Sequence, residues 1–166
     1  MHLLDANVLI TAHNLYYPID QVPQFWAWLR QMGEVGLVKI PAELFEEIKD
    51  GGTDEEADAL YEWISDDANK QALLLDEEPD AALVQQVIEQ GYGDDLTDDQ
   101  IEEIGRDPIL IAYGLKDPAN RCVVTTEVSA PSKKKQNRKI PDVCGDFGVP
   151  WCNTFAMTKK LGFKAG

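Results

Sequence analysis

The chain opens with MHLLDANVLI, residues 1–10, which carries the first strand and helix signals of the sequence. His2-Leu3-Leu4-Asp5 predicts a short buried β-strand that ends in an acid, and the apolar residues 8–10 lead into a helix. In open parallel sheets, ligands gather outside the carboxyl ends of the strands, so an acid placed there has more functional weight than an acid on a helix face. Asp5 is therefore the first candidate for a functional site.

Strand and helix signals alternate along the rest of the chain. Four further apolar runs have the length of buried strands: residues 35–40, 73–75, 122–125 and 148–152. An amphipathic helix is predicted between Pro23 and Gly33, and the patterns Thr53-x-x-Glu56 and Thr97-x-x-Gln100 predict two capped helix starts. Alternation of this kind requires crossover connections. We therefore predict an α/β fold class: one domain, residues 1–166, with a central, mainly parallel sheet flanked by helices.

The bulk composition is that of an ordinary globular protein. The 166 residues are 44% hydrophobic and 27% charged, which suffices for a core without disulfides. No stretch approaches the roughly 20 apolar residues of a membrane span, and Asp5 interrupts the first apolar run too early for a signal peptide. We expect a cytoplasmic protein with no membrane partner.

The three cysteines are Cys122, Cys144 and Cys152, and no two of them form a CxxC pair. Combined with His2 and His13, their spacing matches no zinc-ligand pattern. We expect reduced, structural thiols.

Charge is unevenly distributed along the chain. The net charge of −15 argues against a polyanionic partner, but residues 43–107 carry 23 of the 30 acidic residues and three of the 15 basic ones. From Lys116 onward, ten basic residues face four acidic ones, which indicates distinct surfaces. The densest basic run is either a solvated loop or a contact to an RNA backbone. It comprises Lys133, Lys134, Lys135, Arg138 and Lys139.

Three more acids are candidates by their position. Glu127 follows the strand at residues 122–125, and Glu47 lies nearest the apolar stripe of the helix that follows Pro41. Asp107 directly precedes an apolar helix. Each has a simpler alternative: Asp5 and Asp107 as helix caps, Glu47 as a solvated helix residue and Glu127 as a loop residue.

The order of these motifs resembles the PIN-domain family of metal-dependent ribonucleases, which includes many prokaryotic toxins. The resemblance spans nearly the whole chain and rests on four segments: Leu3-Leu4-Asp5, Glu47-Ile48, Asp107-Pro108-Ile109 and Val124-Thr125-Thr126-Glu127. Three further segments resemble a little-characterised PIN-like subgroup of prokaryotes: Tyr16-Tyr17-Pro18, Phe25-Trp26-Ala27-Trp28-Leu29 and Lys139-Ile140-Pro141-Asp142-Val143-Cys144.

This resemblance implies a three-layer PIN-like fold and an Mg²⁺- or Mn²⁺-dependent endoribonuclease that hydrolyses RNA phosphodiester bonds. The implied catalytic and metal-binding acids are Asp5, Glu47, Asp107 and Glu127. Asn7 and Thr125 are suited to orient ligands or water. Because Glu127 stands where the family more often has Asp, Asp142 or Asp146 can share or take the fourth metal position.

The residue types agree with such chemistry, since hard divalent cations prefer oxygen ligands and converging carboxylates need a cation to neutralise them. The resemblance also implies the toxin of a toxin–antitoxin pair, with a separate antitoxin protein as partner. Tyr16, Tyr17 and Trp26 are candidates for that contact or for homodimer formation, besides core packing. Two alternatives remain: a degenerate PIN-like binding module, and a haloacid-dehalogenase-like phosphatase, which expects an acid where this chain has Asn7.

Overall fold

The structure is a computed structural model that describes residues 1–50 and 55–165, with side chains described outside residues 51–58 and 166. Within these ranges, five strands form one sheet in the order β3-β2-β1-β4-β5, and every neighbouring pair is parallel. The strands are β1 His2–Leu4, β2 Val38–Pro41, β3 Leu74–Leu75, β4 Cys122–Val124 and β5 Trp151–Cys152. The predicted α/β fold class, with a parallel sheet between layers of helices, is confirmed.

Helices connect and flank the strands. They are α1 Ala6–Thr11, α2 Pro23–Glu34, α3 Ala42–Asp50, α4 Glu55–Ser65, α5 Asp67–Leu73, α6 Ala81–Gln86, α7 Asp98–Ile104, α8 Asp107–Leu115, α9 Ile140–Phe147 and α10 Thr154–Lys160. Two π-helical turns, Ala12–Tyr16 and Val87–Tyr92, extend α1 and α6. The capping box at Thr97 and Gln100 forms as predicted, whereas Thr53 and Glu56 lie outside the residues whose side chains are described. No helix in the described part of the chain is both long and apolar enough to cross a membrane.

The central strands are buried on both faces. Leu3 and Leu4 on β1, and Val123 and Val124 on β4, are completely shielded from solvent. Helical layers on both sides of a parallel sheet cause this burial, so the strand sequence is a continuous apolar run rather than an alternating one. The run after Met1 was recognisable as a strand for this reason.

The structure corrects the predicted boundaries around β2. Gly33 does not end α2, because the helix continues to Glu34 and the turn is made at Gly36, whose φ is 79°. A Cβ at Gly33 would lie 2.6 Å from the carbonyl oxygen of Ala72, so the glycine allows close packing of α2 on α5. Strand β2 begins at Val38, later than predicted.

The sheet order also locates the switch point of the fold. Strand β1 has β2 on one side and β4 on the other, so the connections diverge between β1 and β4. At such a point the carboxyl ends of two neighbouring strands open onto a crevice. The amide of Asp5 donates to the carbonyl of Val124 over 3.0 Å, which holds the two strand ends together there.

Candidate metal centre

Asp5 lies at the carboxyl end of β1 with only 3% of its surface exposed. It occupies the N-cap position of α1, yet its Oδ2 accepts a hydrogen bond from the Thr125 hydroxyl at 3.1 Å instead of capping the helix. Burial raises the pKa of Asp5 to about 6, and the charges of Glu47 and Glu127 add to this increase. The Asp5 side chain is therefore held by Thr125, which follows the neighbouring strand β4, at the crevice between the two strand ends.

Asp107 is the first residue of α8, and the N-cap position belongs to Arg106. The alternative that Asp107 is merely the helix cap is therefore wrong. Burial, with smaller contributions from the charges of the other three candidate acids, raises the pKa of Asp107 to about 8. Without a neutralising cation, this carboxyl keeps its proton at neutral pH.

Glu47 lies on α3, which packs against α1. Its Oε2 is buried and has no hydrogen-bond partner among the described residues, and burial raises the pKa of its carboxyl. On the same helix, Glu43 accepts a hydrogen bond from the Tyr113 hydroxyl, and Glu46 is exposed beside Lys49. Of the three glutamates, Glu47 is the one whose charge acts on both Asp5 and Asp107.

Glu127 follows β4 and is fixed at two points. Its amide donates to the Thr125 hydroxyl oxygen at 3.1 Å, and its Oε2 accepts from the amide of Ile140 at 2.7 Å, at the start of α9. Thr125, which is fully buried, therefore connects Asp5 with Glu127 through one hydroxyl group. This threonine positions both acids.

The four acids form a donor set that fits a hard divalent cation. They offer only oxygen ligands, the charges of neighbouring acids help to raise the pKa values of Asp5 and Asp107, and one buried oxygen of Glu47 lacks a partner in the described structure. No three carboxylates among the described residues have their oxygens all within 4.8 Å of one another. The described carboxylates therefore do not form a closed ligand shell, and a cation held by them would keep several of its waters, as Mg²⁺ commonly does.

The other polar candidates lie elsewhere. Both carboxylate oxygens of Asp142 accept hydrogen bonds, one from the Ser129 hydroxyl and one from the amide of Ala130, and the serine lowers the pKa of Asp142. Asp146 accepts from Arg138 at 2.6 Å. Asp142, on α9, thus uses both carboxylate oxygens to hold Ser129 and Ala130 of the preceding loop. We therefore leave it out of the metal-binding set. Asn7 is exposed on the first turn of α1.

The basic loop lies against the acids. A cavity of about 260 Å³ is lined by both Asp107 and Glu127 and by three of the predicted cations, Lys133, Arg138 and Lys139. Lys139 is close enough to lower the pKa of Asp107. Lys135 is paired instead with Asp95 at 3.1 Å, and Lys134 is exposed.

Comparison with known proteins places the chain in a family. Residues 2–165 match the model of the family described as a domain of unknown function, DUF4411. The chain belongs to this family. No curated protein and no solved structure matches this DUF4411 domain.

One polar residue of this DUF4411 domain was not predicted from the sequence. The Tyr92 hydroxyl is buried and lacks a hydrogen-bond partner in the described part of the chain. Burial raises its pKa, and the charges of Asp107 and Glu127 contribute, so the hydroxyl faces the acids. Tyr92 ends a π-helical turn, which shifts the residues after it relative to the α-helical period. Angular analysis at 100° per residue therefore does not find it.

A hydrophobic pocket of about 230 Å³ adjoins Glu127 on the other side. It is lined by Tyr16, Val128, Trp151 and Phe155, all of which are exposed. Of the three aromatic residues proposed for a partner contact, only Tyr16 is exposed in this way, whereas Trp26 is buried in the core.

Proposed function

We propose that this DUF4411 domain is a PIN-like, Mg²⁺- or Mn²⁺-dependent endoribonuclease. The observation that supports the proposal is the electrostatic coupling of four acids from separate segments near the switch point of a parallel sheet: the charges of Glu47 and Glu127 help to raise the pKa of Asp5, and those of Asp5, Glu47 and Glu127 help to raise the pKa of Asp107. Burial, together with the neighbouring charges, raises the pKa values of Asp5 and Asp107, so their ionisation in the folded state costs stability, and a cation would offset that cost.

In this proposal the four acids would hold the cation, which when bound polarises the scissile phosphate and lowers the pKa of the attacking water. Thr125 keeps the Asp5 carboxylate in place by donating to Oδ2. Asp107, whose pKa burial and neighbouring charges raise to about 8, would have to give up its proton to hold the cation as a carboxylate. The buried Tyr92 hydroxyl, whose pKa the charges of Asp107 and Glu127 help to raise, would be available to donate a hydrogen bond within the site.

The basic cavity supports a polymeric substrate. Lys133, Arg138 and Lys139 line the space next to Asp107 and Glu127, where phosphates flanking the scissile bond would lie. Most contacts of nucleic-acid-binding proteins go to such phosphates, and in an acidic protein clustered cations of this kind are the available means of holding them.

The decisive experiment compares two neighbouring glutamates of α3. Glu47→Gln removes a half-buried acid of the site, whereas Glu46→Gln removes an exposed acid on the same helix. We expect RNA cleavage by the wild type and by Glu46→Gln with Mg²⁺ or Mn²⁺, and loss of cleavage with Glu47→Gln, with Asp5→Asn and in excess chelator. Full activity in chelator, or equal loss in both glutamine variants, would refute the metal-dependent assignment.

The resemblance to prokaryotic toxins supports a biological role for the same activity. We propose that the protein is a toxin whose separate antitoxin covers the acidic crevice. Expression of the wild type alone should slow bacterial growth, and expression of Asp5→Asn at equal soluble level should not. Normal growth with the wild type would favour a housekeeping nuclease or a binding module without catalysis.

A further inference from the structure

A second cluster of ligand-forming side chains lies on the sheet away from the acids. His2 on β1 pairs directly with Cys122 on β4, and Cys152 on β5 pairs with Val124. Because side chains alternate along each strand, His2, Cys122 and Cys152 project from one face of the sheet. Asp5 and Thr125 have the opposite parity on the same strands. The two sets therefore belong to different faces.

The three side chains are close enough to share one ion. One ligand atom from each lies within 4.8 Å of the other two, and the Sγ atoms of Cys122 and Cys152 are 3.6 Å apart. Two thiolates on a tetrahedral zinc ion, each about 2.3 Å from the metal, are separated by about 3.8 Å. The observed separation matches that geometry closely.

The same pair is poorly placed for a disulfide. The register separates Cys122 from Cys152 by one strand and two residues, which corresponds to about 8 Å between their Cα atoms, beyond the roughly 7 Å that a disulfide spans. Oxidation would therefore require the edge strand β5 to move relative to β4. A bridging ion requires no such movement.

The surroundings favour the ligand forms of His2 and Cys122. His2 is buried, and burial lowers its pKa, which keeps the imidazole neutral. The contact with Cys152 lowers the pKa of Cys122, and Lys160 on α10 contributes to the same effect. The same contact raises the pKa of Cys152, so the metal-free pair favours one thiolate beside one thiol, and the second thiol would lose its proton on binding an ion. Two thiolates and a neutral imidazole balance the charge of a divalent cation.

We propose that His2, Cys122 and Cys152 form a binding site for a thiophilic cation of the Zn²⁺ class. The cysteines are half-buried, so the fourth position of a tetrahedral ion is accessible to water or to an external ligand. The ion would tie β1, β4 and β5 together, and two of these strands end in the acids Asp5 and Glu127. This site is independent of the proposed nuclease activity.

Zn²⁺ binding by the reduced, metal-free protein tests the proposal, with Cys144 as a matched control. Cys144 is the third cysteine, buried on α9 and outside the cluster. We expect the wild type, Cys144→Ala and Asp5→Asn each to bind one Zn²⁺. Cys122→Ser and Cys152→Ser should lose more than about 100-fold in affinity, since even changes to residues that only hold a metal ligand in place cost about 10- to 100-fold. Zn²⁺ should raise the Tm of the wild type by roughly 5 °C or more and leave that of the serine variants unchanged.

A second measurement needs no substitution. Alkylation of the wild type followed by peptide mapping should show that Zn²⁺ protects Cys122 and Cys152 together. Any of three results would overturn the proposal. The wild type does not bind Zn²⁺, or Cys144→Ala and Cys122→Ser lose affinity equally. The third is that Cys122 and Cys152 are alkylated at the same rate with and without Zn²⁺.

Discussion

Replacing Asp5 with Asn should stabilise the metal-free protein while abolishing its cleavage of RNA. Asp5 has a pKa of about 6 in the folded chain against an ordinary value of 3.8, so the folded state binds a proton more tightly than the unfolded one. Stability conferred by this group is therefore lost as pH rises from about 4 to 6. At about 1.36 kcal/mol per pKa unit, ionised Asp5 costs about 3 kcal/mol above pH 6.

Asn removes the charge and keeps an oxygen that can accept the hydrogen bond from Thr125. In urea unfolding with chelator present, Asp5→Asn should exceed the wild type by about 3 kcal/mol at pH 8 and by about half of that at pH 5. Saturating Mg²⁺ should stabilise the wild type more than the variant and reduce the difference.

Asp142→Asn is the matched control, because the hydrogen bond from Ser129 lowers the pKa of Asp142 and the expected effect has the opposite sign. A carboxyl with a lowered pKa stabilises the fold above its unfolded pKa, so this variant should be slightly less stable than the wild type at pH 8. If Asp5→Asn is less stable than the wild type at pH 8 in chelator, the ionised Asp5 carboxylate does not destabilise the metal-free fold. Asp5 would then be a structural residue, and a cation would not be needed to offset its charge.

Three further predictions follow from particular contacts. Tyr92→Phe should keep the fold and lower kcat for RNA cleavage by about 10-fold or more, because a buried hydrogen-bond donor near the acids is lost. An unchanged kcat would mean that the hydroxyl has no role in cleavage. Lys133→Ala and Lys139→Ala should each reduce the slope of log affinity against log salt by about one in RNA-binding assays, whereas Lys135→Ala should change it less, since Lys135 is paired with Asp95. If all three variants have the same slope, Lys133 and Lys139 make no special phosphate contact in the cavity. Gly33→Ala should destabilise the protein by about 2 kcal/mol or more in urea unfolding, because the new Cβ would meet the backbone of Ala72. Gly145→Ala on α9 is the control: its Cβ meets nothing within 4 Å, so the substitution should be neutral or stabilising. A neutral Gly33→Ala would contradict the close packing of α2 on α5.

The fold was predictable where burial is complete and less so where strands are short. The start of the chain gave a clear strand signal because both faces of β1 are covered. Strand β5 has only two residues, so its predicted start at residue 148 was too early. Helix α9 was not predicted after the basic loop, although Pro141 in its first turn and Gly148 as its left-handed C-cap are both sequence signals.

The two sets of candidate ligands differ in how far sequence predicts them. The acids follow strand ends or begin a helix, so local position points to Asp5, Asp107 and Glu127, and helical angle points to Glu47. His2, Cys122 and Cys152 are brought together only by the register of three strands, which no local spacing encodes. The expectation of merely structural thiols was drawn without that register.

The location of the acids explains how the fold tolerates them without a cation. The strands that lead to Asp5 and Thr125 are the two central ones, and Leu3, Leu4, Val123 and Val124 are fully buried on them. Each such side chain contributes about 1.5–3 kcal/mol when it is removed from water, which is the same order as the cost of about 3 kcal/mol for ionised Asp5. At an edge strand such as β3, where Leu74 is only partly buried, the same repulsion would have less burial to oppose it. Central placement therefore allows a charged crevice to persist in the folded state before a cation arrives.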